Sequence, residues 1–169
     1  MGERIQTIIE RVKDERSKKV IFLSHCLLNE NTRYVGGAFR PGCVDEIVDE
    51  LQRQGFGIVQ MPCLEQRAWG GVLKRHVLLG FGIRDTWLYK LRGLIMALFV
   101  WNTKRVFGKM ARPIAREIED YLDSGFEIVG IVGVDGSPSC GVNCRLDMDK
   151  SFDSLLDKGS FRGYNMNVC

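Results

Sequence analysis

Three short runs rich in β-branched residues constrain this chain more than any other feature. Val20-Ile-Phe-Leu-Ser24 follows a charged segment and reads as a buried strand, as does Phe56-Gly-Ile-Val-Gln-Met61. Between them, residues 44–54 place Val44, Ile47, Val48 and Leu51 at helical spacing, and Gly55 supplies a stop just beyond. A strand–helix–strand unit of this kind builds a parallel sheet. Glu127-Ile-Val-Gly-Ile-Val-Gly-Val134 is the clearest strand, apolar on both faces, and the pattern predicts a central position for it. The expected fold is α/β: a three-layer, Rossmann-like arrangement with a short parallel sheet flanked by helices.

The remaining segments are less sharply defined. Ile5, Ile8, Ile9 and Val12 share one helical face within residues 3–16. Residues 64–83, glycine-rich around Trp69-Gly-Gly71, read as a long loop. Residues 86–109 read as a long apolar helix, and Pro113 suits the first turn of a further helix ending near Asp123 and Gly125. After Cys144 the pattern fades: residues 145–169 are polar, with a weak helix near 150–157. No repeat or low-complexity segment interrupts the chain. Its 169 residues fit a single domain, 1–169, with a motif-bearing core at about 20–141, and can bury a core without disulfide staples. Three strands make an incomplete sheet, so the expectation is a further unrecognised strand, a chain shorter than its fold would need, or a partner that completes the sheet.

With 24 basic and 21 acidic residues, the chain is too balanced to argue for nucleic acid, and no basic run is interleaved with aromatics. The first nineteen residues are charged throughout, without the apolar stretch of a secretory signal, and Gln6 stands where myristoylation needs Ser or Thr. Gly93-Leu-Ile-Met-Ala-Leu-Phe-Val-Trp101 is strongly apolar but far short of the ~20 residues of a membrane span. A buried helix is expected there and no span, with contact at a membrane surface as the other reading. The oligomeric state is left open. A cytoplasmic location is expected, with all six cysteines reduced and read as metal ligands, catalysts or core residues.

Cys26 and Cys63 each stand two residues beyond a strand, and Cys140 stands six beyond the third, across Asp135-Gly-Ser-Pro-Ser-Cys-Gly141. Residues just past the carboxyl ends of parallel strands converge on one crevice, where α/β proteins place their ligands. Three thiolates suit a soft metal centre. An iron–sulfur cube on three cysteines leaves one iron open as a Lewis acid. Zinc, with His25 or Cys144 as fourth ligand, is the competitor, although no CxxC pair is present. Plain burial of free thiols is the alternative to both.

Cys26-Leu-Leu-Asn-Glu-Asn-Thr-Arg-Tyr-Val-Gly36, Val59-Gln-Met-Pro-Cys-Leu-Glu65 with Gly70-Gly71, and Ser137-Pro-Ser-Cys-Gly141 occur in order, each at an expected strand end. In these three motifs, over residues 20–141, the chain resembles the thiouracil desulfidase family. Asn29 stands where that family has Gly, Leu64 where it has Pro, and Lys74-Arg75 where it has Pro-Arg; the spacing from Glu65 to Gly70 is also longer. These departures mark a divergent branch, whose substrate is expected to be a small thiolated compound, thiouracil-like but not necessarily thiouracil. The resemblance implies a [4Fe–4S] cluster on Cys26, Cys63 and Cys140. It makes Glu65 the acid/base and Ser137 or Ser139 a hydroxyl that positions substrate or water.

Other residues have two readings each. Arg33 and Tyr34 brace the loop after Cys26 or meet the substrate. The glycines at 36, 37, 70 and 71 give backbone freedom rather than a phosphate site, because no phosphate-loop pattern surrounds them. His25 reads as a satisfied loop histidine, and Cys43 and Cys169 as non-functional.

Overall fold

The computed structural model describes residues 2–12, 14–83, 86–148 and 151. In chain order the elements are α1 (Gly2–Arg11), β1 (Lys19–Ser24), α2 (His25–Leu28), a 3-10 turn (Glu30–Thr32), α3 (Asp45–Arg53) and β2 (Gly57–Met61). There follow α4 (Leu64–Ala68), α5 (Arg75–Gly82), a second 3-10 turn (Trp87–Leu91), α6 (Arg92–Asp123) and β3 (Glu127–Val132). The fold is mixed α/β, built on one parallel sheet in the order β2-β1-β3.

β1 is the centre of the sheet because it alone has a neighbour on each side, and it is buried from Val20 to Ser24. Successive side chains of a strand point to opposite faces. Ile21 and Leu23 accordingly pack with Ile47 and Leu51 of α3. Phe22 points the other way, edge-on to Tyr121 of α6 at a centroid distance of 6.1 Å. The β1–β2 connection thus runs through α3 on one face. The β2–β3 connection returns through α6 on the other, to the far side of β1. Where two connections depart to opposite faces, the carboxyl ends of the strands leave an open crevice.

Four expectations are corrected. First, β3 is an edge strand among the described residues: Val129 and Ile131 are 40 % and 46 % exposed. An apolar run on both faces was a poor guide because a single hydrogen-bonded neighbour leaves the outer surface uncovered. Its register also slips beside Val20 and Ile21, where Val129 is the extra residue.

Second, residues 64–83 are two short helices rather than a loop. The amide of Gln66 donates to Cys63 Sγ at 3.4 Å and starts α4. Gly70 and Gly71 then take left-handed φ values of 85° and 90° and turn the chain toward α5. Trp69 fixes the turn to the core. It packs against Phe99 and Phe107, and its Nε1 donates to Thr103 Oγ1 at 3.0 Å.

Third, the two helices expected on either side of Pro113 are one helix of 32 residues, with the proline inside it. Proline removes one backbone donor and crowds the preceding turn. Packing on both sides outweighs that cost: Phe99, Val100, Val106 and Phe107 lie against the α4 cluster, and Tyr121 lies against Phe22 and Phe126.

Fourth, the apolar stretch at 93–101 is only half buried. Met96, Phe99 and Val100 face the core, while Leu94, Leu98 and Trp101 are 61 %, 58 % and 61 % exposed. No helix among the described residues is long and apolar enough to cross a membrane. The helix expected near 150–157 lies outside the described residues except for Ser151, whose amide bonds the Asp147 carbonyl as in a helical turn. No fourth strand is present among the described residues.

The contrast between centre and edge is measurable by urea denaturation. Phe22→Ala is expected to lower stability by about 3–5 kcal/mol, as truncation of a fully buried aromatic does. Val129→Ala is expected to stay within about 1 kcal/mol, in the range of surface substitutions. Equal losses would contradict the assignment of β1 as the buried centre.

Candidate functional site

A cavity of about 950 Å³ opens at the carboxyl ends of the strands, and Cys26, Cys63, Cys140, Glu65, Ser137 and Ser139 all line it. Each arrives by a local device. Cys26 sits in the first turn of α2, directly after β1. Cys63 caps α4 directly after β2. Cys140 needs a longer return: Asp135 accepts from the amides of Asn143 and Cys144 at 3.2 and 3.4 Å, and the Gly136 amide donates to the Cys144 carbonyl at 3.0 Å. This folds residues 135–144 back over the end of β3. The return depends on Gly133, where a β-carbon would fall 1.9 Å from the Cys140 carbonyl oxygen.

The thiols are half-buried and free. Cys26 and Cys140 lie within hydrogen-bonding reach of each other. The Cys26 thiol is pushed up, first by donating to Cys140, then by burial. Cys140 is correspondingly lowered to about 5, chiefly because Cys26 donates to its thiolate, with help from Ser137 and Ser24 against the opposing effect of burial. Cys140 Sγ lies 3.2 Å from Ser137 Oγ. Ser24 Oγ is buried beside it and makes no hydrogen bond among the described residues. Burial pushes the Cys63 thiol up, and the charges of Glu65 and Cys140 push the same way.

Glu65 is the hub of the polar wall. Its Oε1 accepts from Ser137 at 2.9 Å and from Ser139 at 3.1 Å, and its Oε2 meets Lys74 Nζ at 2.7 Å. Both ion-pair partners are buried. Ser137 Oγ also accepts from the amides of Ser139 and Cys140, both at 3.3 Å, so one hydroxyl ties the turn to the carboxylate. The Ser137-Pro-Ser139 segment is therefore a turn and a wall of the site at once.

Glu30 plays a parallel part after β1. It is buried, accepts from the amides of Phe39 and Arg40 at 2.6 and 2.9 Å, and pairs with Arg33 at 3.5 Å. Burial opposes its charge, but these donors hold its carboxyl below the usual range. Arg33 also donates to the Gly37 carbonyl at 3.2 Å, so it braces the loop. Tyr34 is half exposed at the cavity wall, with Lys74 Nζ 5.9 Å from its ring centroid.

All six residues expected at the site meet at one cavity. Lys74, Glu30, Ser24 and Gly133 were not anticipated as parts of it. Lys74 was visible only as a departure from a motif, and its role depends on a contact made in three dimensions. The two suggested fourth ligands differ in state: His25 lines the cavity with one ring nitrogen hydrogen-bonded, whereas Cys144 is in a disulfide. His25 Nδ1 is 2.7 Å from Gln60 Nε2, and Cys144 is disulfide-bonded, against the expectation that all thiols are free. Cys43 Sγ bonds Asp45 at 2.7 Å, away from the cavity.

Among the described residues, no three His, Cys, Asp or Glu side chains form a group that could hold a single metal ion. The donor chemistry fits a larger thiophilic group: three sulfurs from three strand ends line one cavity.

No family model matches the chain, and no solved structure matches it. It is similar to a protein of Methanocaldococcus jannaschii described as "Uncharacterized protein MJ0003". The two are 23% identical over 130 residues, which cover 75% of this chain and 70% of that one.

Two outcomes test the site as a physical unit. In the reduced, metal-free chain, Cys140 is expected to be carboxamidomethylated by iodoacetamide at about pH 6, where ordinary thiols near 8.5 are almost wholly protonated. Cys26→Ala removes the proton donor, so the pH profile of Cys140 labelling, followed by peptide mass mapping, is expected to move upward. An unmoved profile would show that the two sulfurs are not coupled. Separately, Lys74→Met strands a buried carboxylate and is expected to cost about 3–5 kcal/mol in urea denaturation. Adding Glu65→Gln to that variant is expected to recover part of the loss.

Proposed function

We propose that this chain is a desulfidase that binds a [4Fe–4S] cluster and removes sulfur from a small, thiouracil-like thiocarbonyl compound, releasing hydrosulfide. The observation that carries this reading is the meeting of Cys26, Cys63 and Cys140 with Glu65, Ser137 and Ser139 on one cavity. The resemblance in the three cysteine motifs names the same six residues. The strand order β2-β1-β3, with helices against both faces of β1, supports the Rossmann-like assignment behind it.

Cys26, Cys63 and Cys140 would hold the cluster. When bound, it would supply an open iron whose Lewis acidity draws electron density from a thiocarbonyl. The overall change is a hydrolysis: the carbon–sulfur double bond is replaced by a carbon–oxygen one, water supplies the oxygen and two protons, and no net electrons move. The chain's own part is proton transfer and positioning. Glu65 takes a proton from the attacking water, and the hydroxyls of Ser137 and Ser139, both within reach of its Oε1, set the water's approach to the carbon. Glu65 then returns the proton to the departing sulfur. Lys74 keeps the carboxylate at the cavity wall through Oε2, and Oε1 faces the two serine hydroxyls. The apolar part of the cavity, with Trp69 and Leu73 among its lining, limits access of competing water.

Purification under argon tests the proposal. A brown protein with about four irons and four acid-labile sulfides per chain is expected, and Cys26→Ser, Cys63→Ser and Cys140→Ser are each expected to lower the iron content. Glu65→Gln is expected to keep the cluster and slow desulfidation of 2-thiouracil or a related thiocarbonyl by about 10²–10⁴-fold. Turnover by Glu65→Gln at the wild-type rate would remove Glu65 from its assigned role. A colourless protein with stoichiometric zinc would replace the cluster reading with a zinc module.

A further inference from the structure

We propose that the outer face of the helices between β2 and β3 docks on an anionic lipid surface. Leu91, Leu94, Leu98 and Trp101 follow one another at steps of three and four residues, which keeps them on one side of a helix, and all four are exposed. Trp87, in the turn just before this helix, and Leu79 of α5 are exposed too, at 73 % and 66 %. This is more than scattered surface leucines: the stripe runs opposite Met96, Phe99 and Val100, which meet the core.

Charge identifies the partner. Residues 75–116 hold nine Lys and Arg against one acidic residue, whereas the rest of the chain holds fifteen against twenty. The near-neutral total therefore conceals a strongly basic segment in a chain that is otherwise net acidic. Arg92 lies 4.5 Å from the Tyr89 ring centroid and Arg105 lies 5.7 Å from that of Trp101, so guanidinium groups stand beside aromatic rings at both ends of the stripe. A helix with Leu and Trp on one side and Lys and Arg around it sits in the headgroup region of a bilayer, with its cations on lipid phosphates. A second copy of the chain would press like charges together. A nucleic acid would match the charge but leave the leucines in water, because its bases stack on aromatic rings rather than aliphatic ones. The helix lies on the surface and does not span it.

Co-sedimentation of the full chain with vesicles tests this. The chain is expected to pellet with phosphatidylcholine–phosphatidylglycerol vesicles at about 0.1 M salt. Binding is expected to weaken at least tenfold at about 1 M salt, where the screening length falls from about 10 to about 3 Å. Pure phosphatidylcholine is expected to bind at least tenfold less. Leu94→Asp with Leu98→Asp, both at exposed positions, is expected to lower anionic binding more than tenfold with an unchanged circular dichroism spectrum; Leu94→Ser with Leu98→Ser serves should the aspartates unfold the chain. No pelleting with anionic vesicles, or pelleting unchanged by both pairs of substitutions, overturns the proposal. So does a chain dimer, or an oligonucleotide complex, that the same substitutions dissolve while vesicle binding is absent.

Discussion

The carboxylate of Glu65 joins segments that the sheet alone leaves independent. It begins α4 beside Cys63, pairs with Lys74 beyond the two left-handed glycines, and receives Ser137 and Ser139 from the turn after β3. Removing such a charge from water is costly, and that cost is offset by charged and hydroxyl donors on its oxygens. Here one ammonium and two hydroxyls supply the donors. Because the same Ser137 Oγ also receives the amides of Ser139 and Cys140, the position of the third thiol depends on the carboxylate. The ends of β2 and β3 are thus fixed by a polar contact, since their strands do not touch each other in the sheet.

The end of β1 is fixed in a similar way, by Glu30 and the amides of residues 39 and 40. Two buried carboxylates therefore shape a cavity whose reactive groups are sulfur. Their negative charge has a chemical consequence. At Cys63 the charge of Glu65 adds to burial in opposing ionisation, whereas Cys140 is lowered chiefly by the thiol of Cys26. The three sulfurs are inequivalent, and the inequivalence follows from which hydroxyls and thiols each strand end brings to it.

The parts of the fold legible in the sequence were those governed by local periodicity. β1, β2 and α3 appear almost where the spacing of Val20, Ile58 and Leu51 puts them. Residues 64–83 were obscure because α4 and α5 are too short for a period to show, and glycines that mark a loop also mark a sharp turn between helices. Pro113 misled because a proline's local cost was exceeded by packing from residues far away in sequence, Phe22 among them. The site's cysteines could be found because each follows a strand, and the rule that strand ends converge is topological. Lys74 and Gly133 could not. One owes its place to an ion pair across a turn, the other to a carbonyl seven residues ahead that approaches its Cα.

Segment charge was the signal that averaging concealed. A net charge of +3 describes neither the helical connection nor the body of the chain. The two regions meet at α5, whose Val77 and Leu78 line the cavity while Leu79 faces outward. A helix with side chains is about 10–12 Å across, so any partner on the outer face lies within one helix diameter of the cavity wall. The turn that holds Lys74 against Glu65 is also the start of α5. A change in the seating of α5 would therefore be felt at the Lys74–Glu65 pair, because Lys74 stands at the start of that helix.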